Sequence, residues 1–513
     1  MSSVNPSEGE SQSRKSSLDI TDEAMFNLSD QFVALVVNYF AGVSQMTVFP
    51  QETGAEIKAR FDGPAPLAGE PLAKLLDDCR EVIAGARQNG HPRFFGYVAS
   101  PSTPPGAFAD LLASTVNSSV TSWRSAPSAT QIERTVVRWL GSLIGYDDNA
   151  QGTLTSGGSM ANLTALLIAL RVKSNRQISQ EGFWNAGAPM TAYASDQIHL
   201  SVTKAADILG LGKRHVRLLP SDDEFRLDVR ALRAAIESDK QNGFKPFCVI
   251  ASAGTAGSGA IDPLNEVATV AREHDLWFHI DGAYGAPAAM VAEQREQFAG
   301  LELADSISLD PHKWLYTPVD CGCLLLHDAS AARRAFVTEA DYIKVHEQGD
   351  TESFAFWDYG IELSRRFRAL KIWLTLKYYG ARRIAESVAD DIAMARYLAE
   401  LVEAAEDFEL LAPVALSICC FRYLPVRLRR QLAAAQNNEE RERVNAQLNH
   451  LNERIVQVVQ RGGRAYLSNA MLRGQFALRA CIINFRTTRA DIDITFEVVQ
   501  EAARQIEAAD ENR

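Results

Sequence analysis

The sequence predicts an α/β protein with a mainly parallel central sheet covered by helices on both faces, an N-terminal helical arm and a smaller α+β C-terminal domain. Three observations predict it. Between about residues 104 and 371, short apolar runs of strand length alternate with segments of helical periodicity, and strands joined by helical crossovers pair in parallel. From about 372 the alternation gives way to long helices and a few late strands. At 513 residues the chain exceeds what one core supports, so two or three domains are expected. The boundaries so drawn are a tail over 1–20, the arm over 21–103, the large domain over 104–371 and the small domain over 372–513.

The first residues, MSSVNPSEGESQSRKSS, are polar and poor in aromatics. They read as a disordered tail, since no apolar stretch follows a basic start as in a signal peptide. Residues 22–45 have helical periodicity, with Thr21 or Asp22 as caps. A Pro/Gly-rich connector (FPQETGAE, then FDGPAPLAGEP) leads to a helix near 70–87. In the large domain the strand candidates are 191–195, 214–219, 247–252, 276–281, 305–309 and 321–327. Helical segments at 159–173, 199–209, 228–238 and 264–274 lie between them. The small domain is read as helices over 371–405, a strand at SICCFRYL, a charged helix over 427–460, strands at AYLSN and FALRACIINF and a last helix over 489–508.

Composition removes several classes of partner. The net charge of −12 argues against nucleic acid or an anionic membrane surface. No apolar run approaches the roughly 20 residues that span a bilayer. The seven cysteines show neither a disulfide framework nor a zinc spacing, so they read as buried reduced thiols of a cytoplasmic protein, with no metal expected.

The stretch Asp305-Ser-Ile-Ser-Leu-Asp-Pro-His-Lys-Trp314 ends an apolar run with a lysine. Burial of its stem among Leu309, Trp314 and Leu315 would lower the ammonium pKa and favour a nucleophilic amine able to form a Schiff base. Read alone, Lys313 fits equally a strand-end lysine reaching solvent. Thr155-Ser-Gly-Gly-Ser159 opens a helix, where free N–H groups and the helix dipole suit an anion; Gly158 allows close approach and Ser159 adds a hydroxyl. A plain helix cap would look the same. Asp281 ends the strand Leu276-Trp-Phe-His-Ile-Asp281 and needs a partner such as a protonated pyridine nitrogen; small Ala283 beside it leaves room for a flat ring. A hydrogen-bonded strand-end carboxylate is the alternative. His199, after another strand, is placed to stack on an aromatic ring or simply to cap the helix.

Together the four supply an anion cup, a stacking ring, a pyridinium partner and a Schiff-base lysine, the equipment for pyridoxal phosphate. The chain here resembles the pyridoxal-phosphate-dependent group II amino acid decarboxylases from about residue 22 onward. The resemblance rests on His91-Pro-Arg-Phe-Phe-Gly-Tyr97, Trp123-Arg-Ser-Ala-Pro127 with Glu133, Ser195-Asp-Gln-x-His199, Asp281-x-Ala-Tyr284, Asp310-Pro-His-Lys-Trp314 and Ser364-Arg-Arg-Phe-Arg-Ala-Leu-Lys371. It implies a fold-type-I homodimer with the arm wrapped over the partner and active sites at the interface. It further implies Lys313 as the Schiff-base lysine and Asp281 as the pyridine partner, with His199 on the ring. Gly158, Ser159, Thr255, Ala283, Asp310 and His312 are then expected around the cofactor. Tyr342 is expected on a mobile lid over 339–353, as the acid that protonates Cα. Tyr97, Ser100 and Thr121 are expected on the substrate side.

Some positions depart from the aromatic-type pattern. Ala256 stands where a second hydroxyl is usual, and Asp310 where asparagine is common, which calls for a neutralising partner. Thr121 and Val98-Ala-Ser100 replace more aromatic residues. The expected reaction is decarboxylation of an L-amino acid, with tyrosine, dopa or a similar aromatic first. Ser364 is a weak pointer to phenolic substrates. The rivals are an acidic or other L-amino acid, and an oxygen-consuming aldehyde synthase, against which Tyr342 argues because phenylalanine at that lid position favours it in plant members.

Overall fold

The computed structural model describes residues 18–174, 178, 182–183, 187–337 and 351–511. The chain divides into two compact units, residues up to Met46 with Glu52–Arg87, and Thr47–Gln51 with Gln88 onward.

The first unit is helical. Thr21 caps the helix Asp22–Gly42 by accepting from the Ala24 N–H, as the sequence indicates. No residue of that helix is buried within this chain, and Met25, Phe26, Phe32, Val33 and Val37 are exposed. The connector contains a helix the sequence reading leaves out, Gly54–Phe61, opened by a Thr53–Glu56 capping box. The Thr-x-x-Glu spacing is a start signal that was legible. Leu72–Ala84 forms the third helix.

The second unit holds two sheets, whose strands in chain order are β1 (Phe94–Phe95), β2 (Gln151–Thr155), β3 (Met190–Ser195), β4 (Val216–Leu219), β5 (Lys245–Ser252), β6 (Trp277–Asp281), β7 (Ser306–Leu309), β8 (Gly322–Leu326), β9 (Phe408–Leu410), β10 (Ile418–Tyr423), β11 (Tyr466–Leu472) and β12 (Gln475–Cys481). The large sheet runs β2-β8-β7-β6-β5-β3-β4. The pairs from β4 to β7 are parallel, and β8 lies antiparallel between β7 and β2. The α/β expectation therefore holds, with one reversed strand. All six predicted strands of this sheet are present; β2 is the one the sequence reading does not name.

The strands are apolar on both faces because helices cover both. On one face the helices Gly158–Lys173 and Leu200–Ile208 bury Ala165, Ile168, Ala206, Cys248 and Ile250. On the other, Val249, Phe278, Ile280 and Val267 join the core that includes the helix Pro127–Leu143. The smaller sheet, β1-β11-β12-β10-β9, is antiparallel except for β1 against β11. Its core includes Leu398, Phe421, Leu448 and Val499, from the sheet and the helices Ala381–Ala404, Asn438–Arg461 and Arg489–Glu511. The single charged helix expected over 427–460 is two, Val426–Ala434 and Asn438–Arg461, with Asn437 capping the second.

Candidate active site

Four strands and one helix deliver their chemistry to one edge. Beyond the carboxyl ends of β3, β5, β6 and β7 lie His199, Thr255, Asp281 and the Asp310–Lys313 turn, and after β2 the helix Gly158–Lys173 begins. This is where parallel α/β sheets place ligands. The segments enclose a cavity of about 850 Å³. Of the residues singled out from sequence, Tyr97, Gly158, Ser159, His199, Thr255, Asp281, Ala283, Asp310, His312 and Lys313 line it. Ser100 and Thr121 do not: the Ser100 hydroxyl donates to His312 O at 3.1 Å, and Thr121 pairs with Ser125 at 2.8 Å. Tyr342 and most of the 339–353 stretch lie outside the described residues.

Lys313 sits in the four-residue helix Pro311–Trp314, and its Nζ lies 2.9 Å from Asp310 Oδ2. The partner that Asp310 requires is thus the lysine itself, with His312 Nε2 at 3.8 Å. Asp310 Oδ1 remains buried without a hydrogen bond. The expected lowering of the lysine pKa does not survive this pairing. Burial pushes the ammonium down, but the Asp310 and Asp281 carboxylates outweigh it and hold the pKa above its ordinary value. Buried Asp391 fixes the segment after the lysine, accepting from Trp314 Nε1 at 2.9 Å and Tyr316 OH at 2.7 Å.

Asp281 accepts from Asn162 Nδ2 at 2.8 Å, Ser308 Oγ at 3.1 Å and its neighbour Ala283 N at 3.2 Å. His199 is the N-cap of Leu200–Ile208, with Nδ1 against the Ser201 hydroxyl at 2.8 Å and the Ser201 N–H at 3.3 Å. Burial lowers its pKa; Asp281 and Asp310 pull it up, and Lys313 pushes it down. Burial likewise lowers the His312 pKa, with Asp310 opposing. At the helix start, a Cβ on Gly158 would lie 2.9 Å from both Ala283 Cβ and Asp310 Oδ2, so only glycine leaves that corner open. Thr255 is buried, its hydroxyl 3.1 Å from that of Ser258.

Sequence reasoning misses several groups in the cavity wall or behind it. Asn162 lies one turn into an apolar helix, where an asparagine carries no distinctive signal. Ser201 and Ser308 are ordinary in sequence, although Ser308 alternates with Asp310 on the strand. Arg479, on β12, lines the cavity and donates to Gly257 O at 3.1 Å, Tyr97 O at 2.7 Å and Ser468 Oγ at 3.1 Å. Its second terminal nitrogen is buried away from the cavity with no geometric hydrogen-bond partner.

The comparisons with known proteins agree with this geometry. A family sequence profile described as "Pyridoxal-dependent decarboxylase conserved domain" matches residues 55–424. The chain is 36% identical over 476 residues to an aromatic-L-amino-acid decarboxylase of Bacillus atrophaeus, covering 93% of this chain and 94% of the relative. It is 30% identical over 475 residues to a phenylacetaldehyde synthase of Petunia hybrida, covering 92% of each. The crystal structure of Catharanthus roseus tryptophan decarboxylase in complex with L-tryptophan superposes with a TM-score of 0.82 at 25% identity, over 95% of this chain and 100% of that one.

Proposed function

The chain belongs to the pyridoxal-dependent decarboxylases, and from that membership we propose that it removes the carboxylate of an aromatic L-amino acid as CO₂ and releases the amine. It is a pyridoxal-phosphate-dependent carboxy-lyase. The observation that carries the proposal is the meeting of Lys313, Asp281 and His199 in one cavity with a glycine-opened helix start. The aromatic class rests on the 36% identity to an aromatic-L-amino-acid decarboxylase.

The residues present fit the cofactor. The corner kept open by Gly158, with Ser159 at the N-terminus of a 16-residue helix, suits a phosphate. Asp281, at the strand end, suits a pyridinium N–H, and Ala283 and His199 suit the faces of a flat ring. Lys313 is the amine that would hold the aldehyde carbon. When bound, pyridoxal phosphate supplies an electron sink for the pair left when the Cα–carboxylate bond breaks.

The chain's own groups do the rest. Asp281, already accepting from three donors, is the carboxylate that would hold a proton on the pyridine nitrogen of the bound cofactor. Arg479 places a guanidinium in the cavity wall, with its hydrogen bonds directed to Gly257 O, Tyr97 O and Ser468 Oγ. Tyr342 is the proposed proton donor to Cα. The reading includes a homodimer with sites at the interface, supported by the uncovered apolar residues of Asp22–Gly42. It also includes a cytoplasmic setting, supported by seven free cysteines, six of them buried. No helix of the described residues is long and apolar enough to cross a membrane.

The test is CO₂ release by purified protein across a panel of L-amino acids. Release from tyrosine, dopa or tryptophan, abolished together with the visible cofactor absorption in Lys313→Ala, supports the proposal. Release confined to acidic or aliphatic substrates overturns the aromatic assignment. Peroxide formation with O₂ uptake in place of amine would show an aldehyde synthase, the activity named in the Petunia relative.

A further inference from the structure

A chain of buried hydrogen bonds runs from the sheet interior to His199, and each link has a definite polarity. Asn162 is its centre. Its amide nitrogen reaches both Asp281 Oδ2 at 2.8 Å and Ser201 Oγ at 2.9 Å, and its oxygen faces His279 Nε2 at 3.0 Å. An ionised carboxylate only accepts, so the amide must turn its NH₂ toward Asp281. The amide oxygen then requires a proton on His279 Nε2. At the other ring nitrogen of His279, the Ser306 hydroxyl lies 2.9 Å away, and that hydroxyl in turn receives the Trp277 indole N–H at 2.9 Å. The Ser306 backbone carbonyl, which only accepts, also lies 3.2 Å from His279 Nδ1, so the orientation of the Asn162 amide is set by Asp281 and not from the His279 side.

On the cavity side the same logic continues. One Asn162 N–H goes to Asp281 and the other to Ser201 Oγ, so the Ser201 hydroxyl proton is left for His199 Nδ1 at 2.8 Å. The Ser201 backbone N–H, which can only donate, points to the same nitrogen at 3.3 Å. Two donors therefore converge on Nδ1. We infer that Ser201, oriented by Asn162, is a positioning residue that holds His199 as the Nε2–H tautomer, so that the imidazole offers the cavity a proton donor and no lone pair. Burial brings His279 down to about 4, and partial desolvation lowers His199, so both favour their neutral forms. The tautomer follows from the hydrogen bonds alone. Its use rests on the proposed function: a donor at Nε2 bonds an anionic oxygen of substrate or cofactor and does not serve as a base there.

The experiment reads the tautomer directly in cofactor-free protein, by solid-state ¹⁵N spectra with histidine labelled at Nδ1 and the His199 signal assigned from His199→Gln. The expected wild-type result at neutral pH is an unprotonated, pyridine-like Nδ1. Ser201→Ala removes one donor and Asn162→Asp reverses the Ser201 hydroxyl. Both are expected to raise the Nδ1–H share about fivefold, the effect of one lost hydrogen bond, while Ser201→Thr restores the wild-type ratio. A protonated Nδ1 in the wild type, or an unchanged ratio in both variants, overturns the inference. The wild-type spectrum decides even where a variant fails to fold. Because the spectrum precedes turnover, a protein with the expected tautomer and no decarboxylation would sink the proposed function and leave the tautomer standing.

Discussion

Lys313 and Asp310 show how one neighbour reverses the reading of a residue. Burial alone argues for a depressed lysine; the carboxylate at 2.9 Å raises it instead. Asp310→Asn removes the strongest upward pull, so the amine becomes neutral at lower pH and cofactor incorporation near pH 7 is expected to accelerate, followed by the rise of visible absorption. Slower incorporation at every pH would count against the pairing. His279 gives a stability prediction. Burial holds it near 4 in the native protein against 6.5 ordinarily. Between those values the unfolded chain takes up a proton that the native state refuses, so its contribution is present above pH 6.5 and is lost as pH falls toward 4. Asp391, raised to about 7, acts in the opposite sense, losing its contribution as pH rises from 3.8 through 7. Denaturant titrations of His279→Gln and wild type should therefore diverge least at acid pH. Asp281 stood out because it ends an apolar strand run, whereas Lys313 and His199, each compatible alone with a plain structural role, gained weight only from the motifs read together. Asn162 and Ser201 were not legible, because a short polar side chain inside a helix gives no sign of which buried group it serves.

At the scale of elements, the sheet was readable wherever an apolar run stood between helical segments, and β2 was not. Gln151-Gly-Thr-Leu-Thr155 is too polar to declare itself, and its strand depends on partners far along the chain. Arg365 donates to Thr153 Oγ1 and Leu154 O, both at 2.8 Å, and pairs with Glu133, which accepts from the Leu154 N–H at 2.9 Å. Both charges are almost fully buried. Arg365→Met strands the Glu133 carboxylate, and a loss of about 3–5 kcal/mol is expected in urea unfolding. The motif Ser364–Lys371 thereby acts through structure, as Lys371, bonded to Asp110 and Pro318, also does. Gly158→Ala drives a methyl against Ala283 and Asp310. We expect the fold to persist and cofactor affinity to fall at least tenfold, read by equilibrium titration of absorption; unchanged affinity would remove the helix start from the phosphate site.

For the whole molecule, the exposed apolar residues of Asp22–Gly42 are the observation on which the proposed homodimer rests. Sedimentation should give a dimer, and deletion of residues 1–46 should give monomers with little turnover.

The bond from Arg479 to the Tyr97 carbonyl joins residues 382 positions apart, and the cavity draws on segments between them. No shorter stretch holds the complete lining of the cavity. Closing contacts so distant in sequence is slow, so cofactor capture should be the last event of refolding. After dilution from denaturant, helical circular dichroism is expected to recover well before absorption does. During synthesis, a growing chain would stay colourless until β12 has left the ribosome, which makes cofactor colour a report on completeness of the fold.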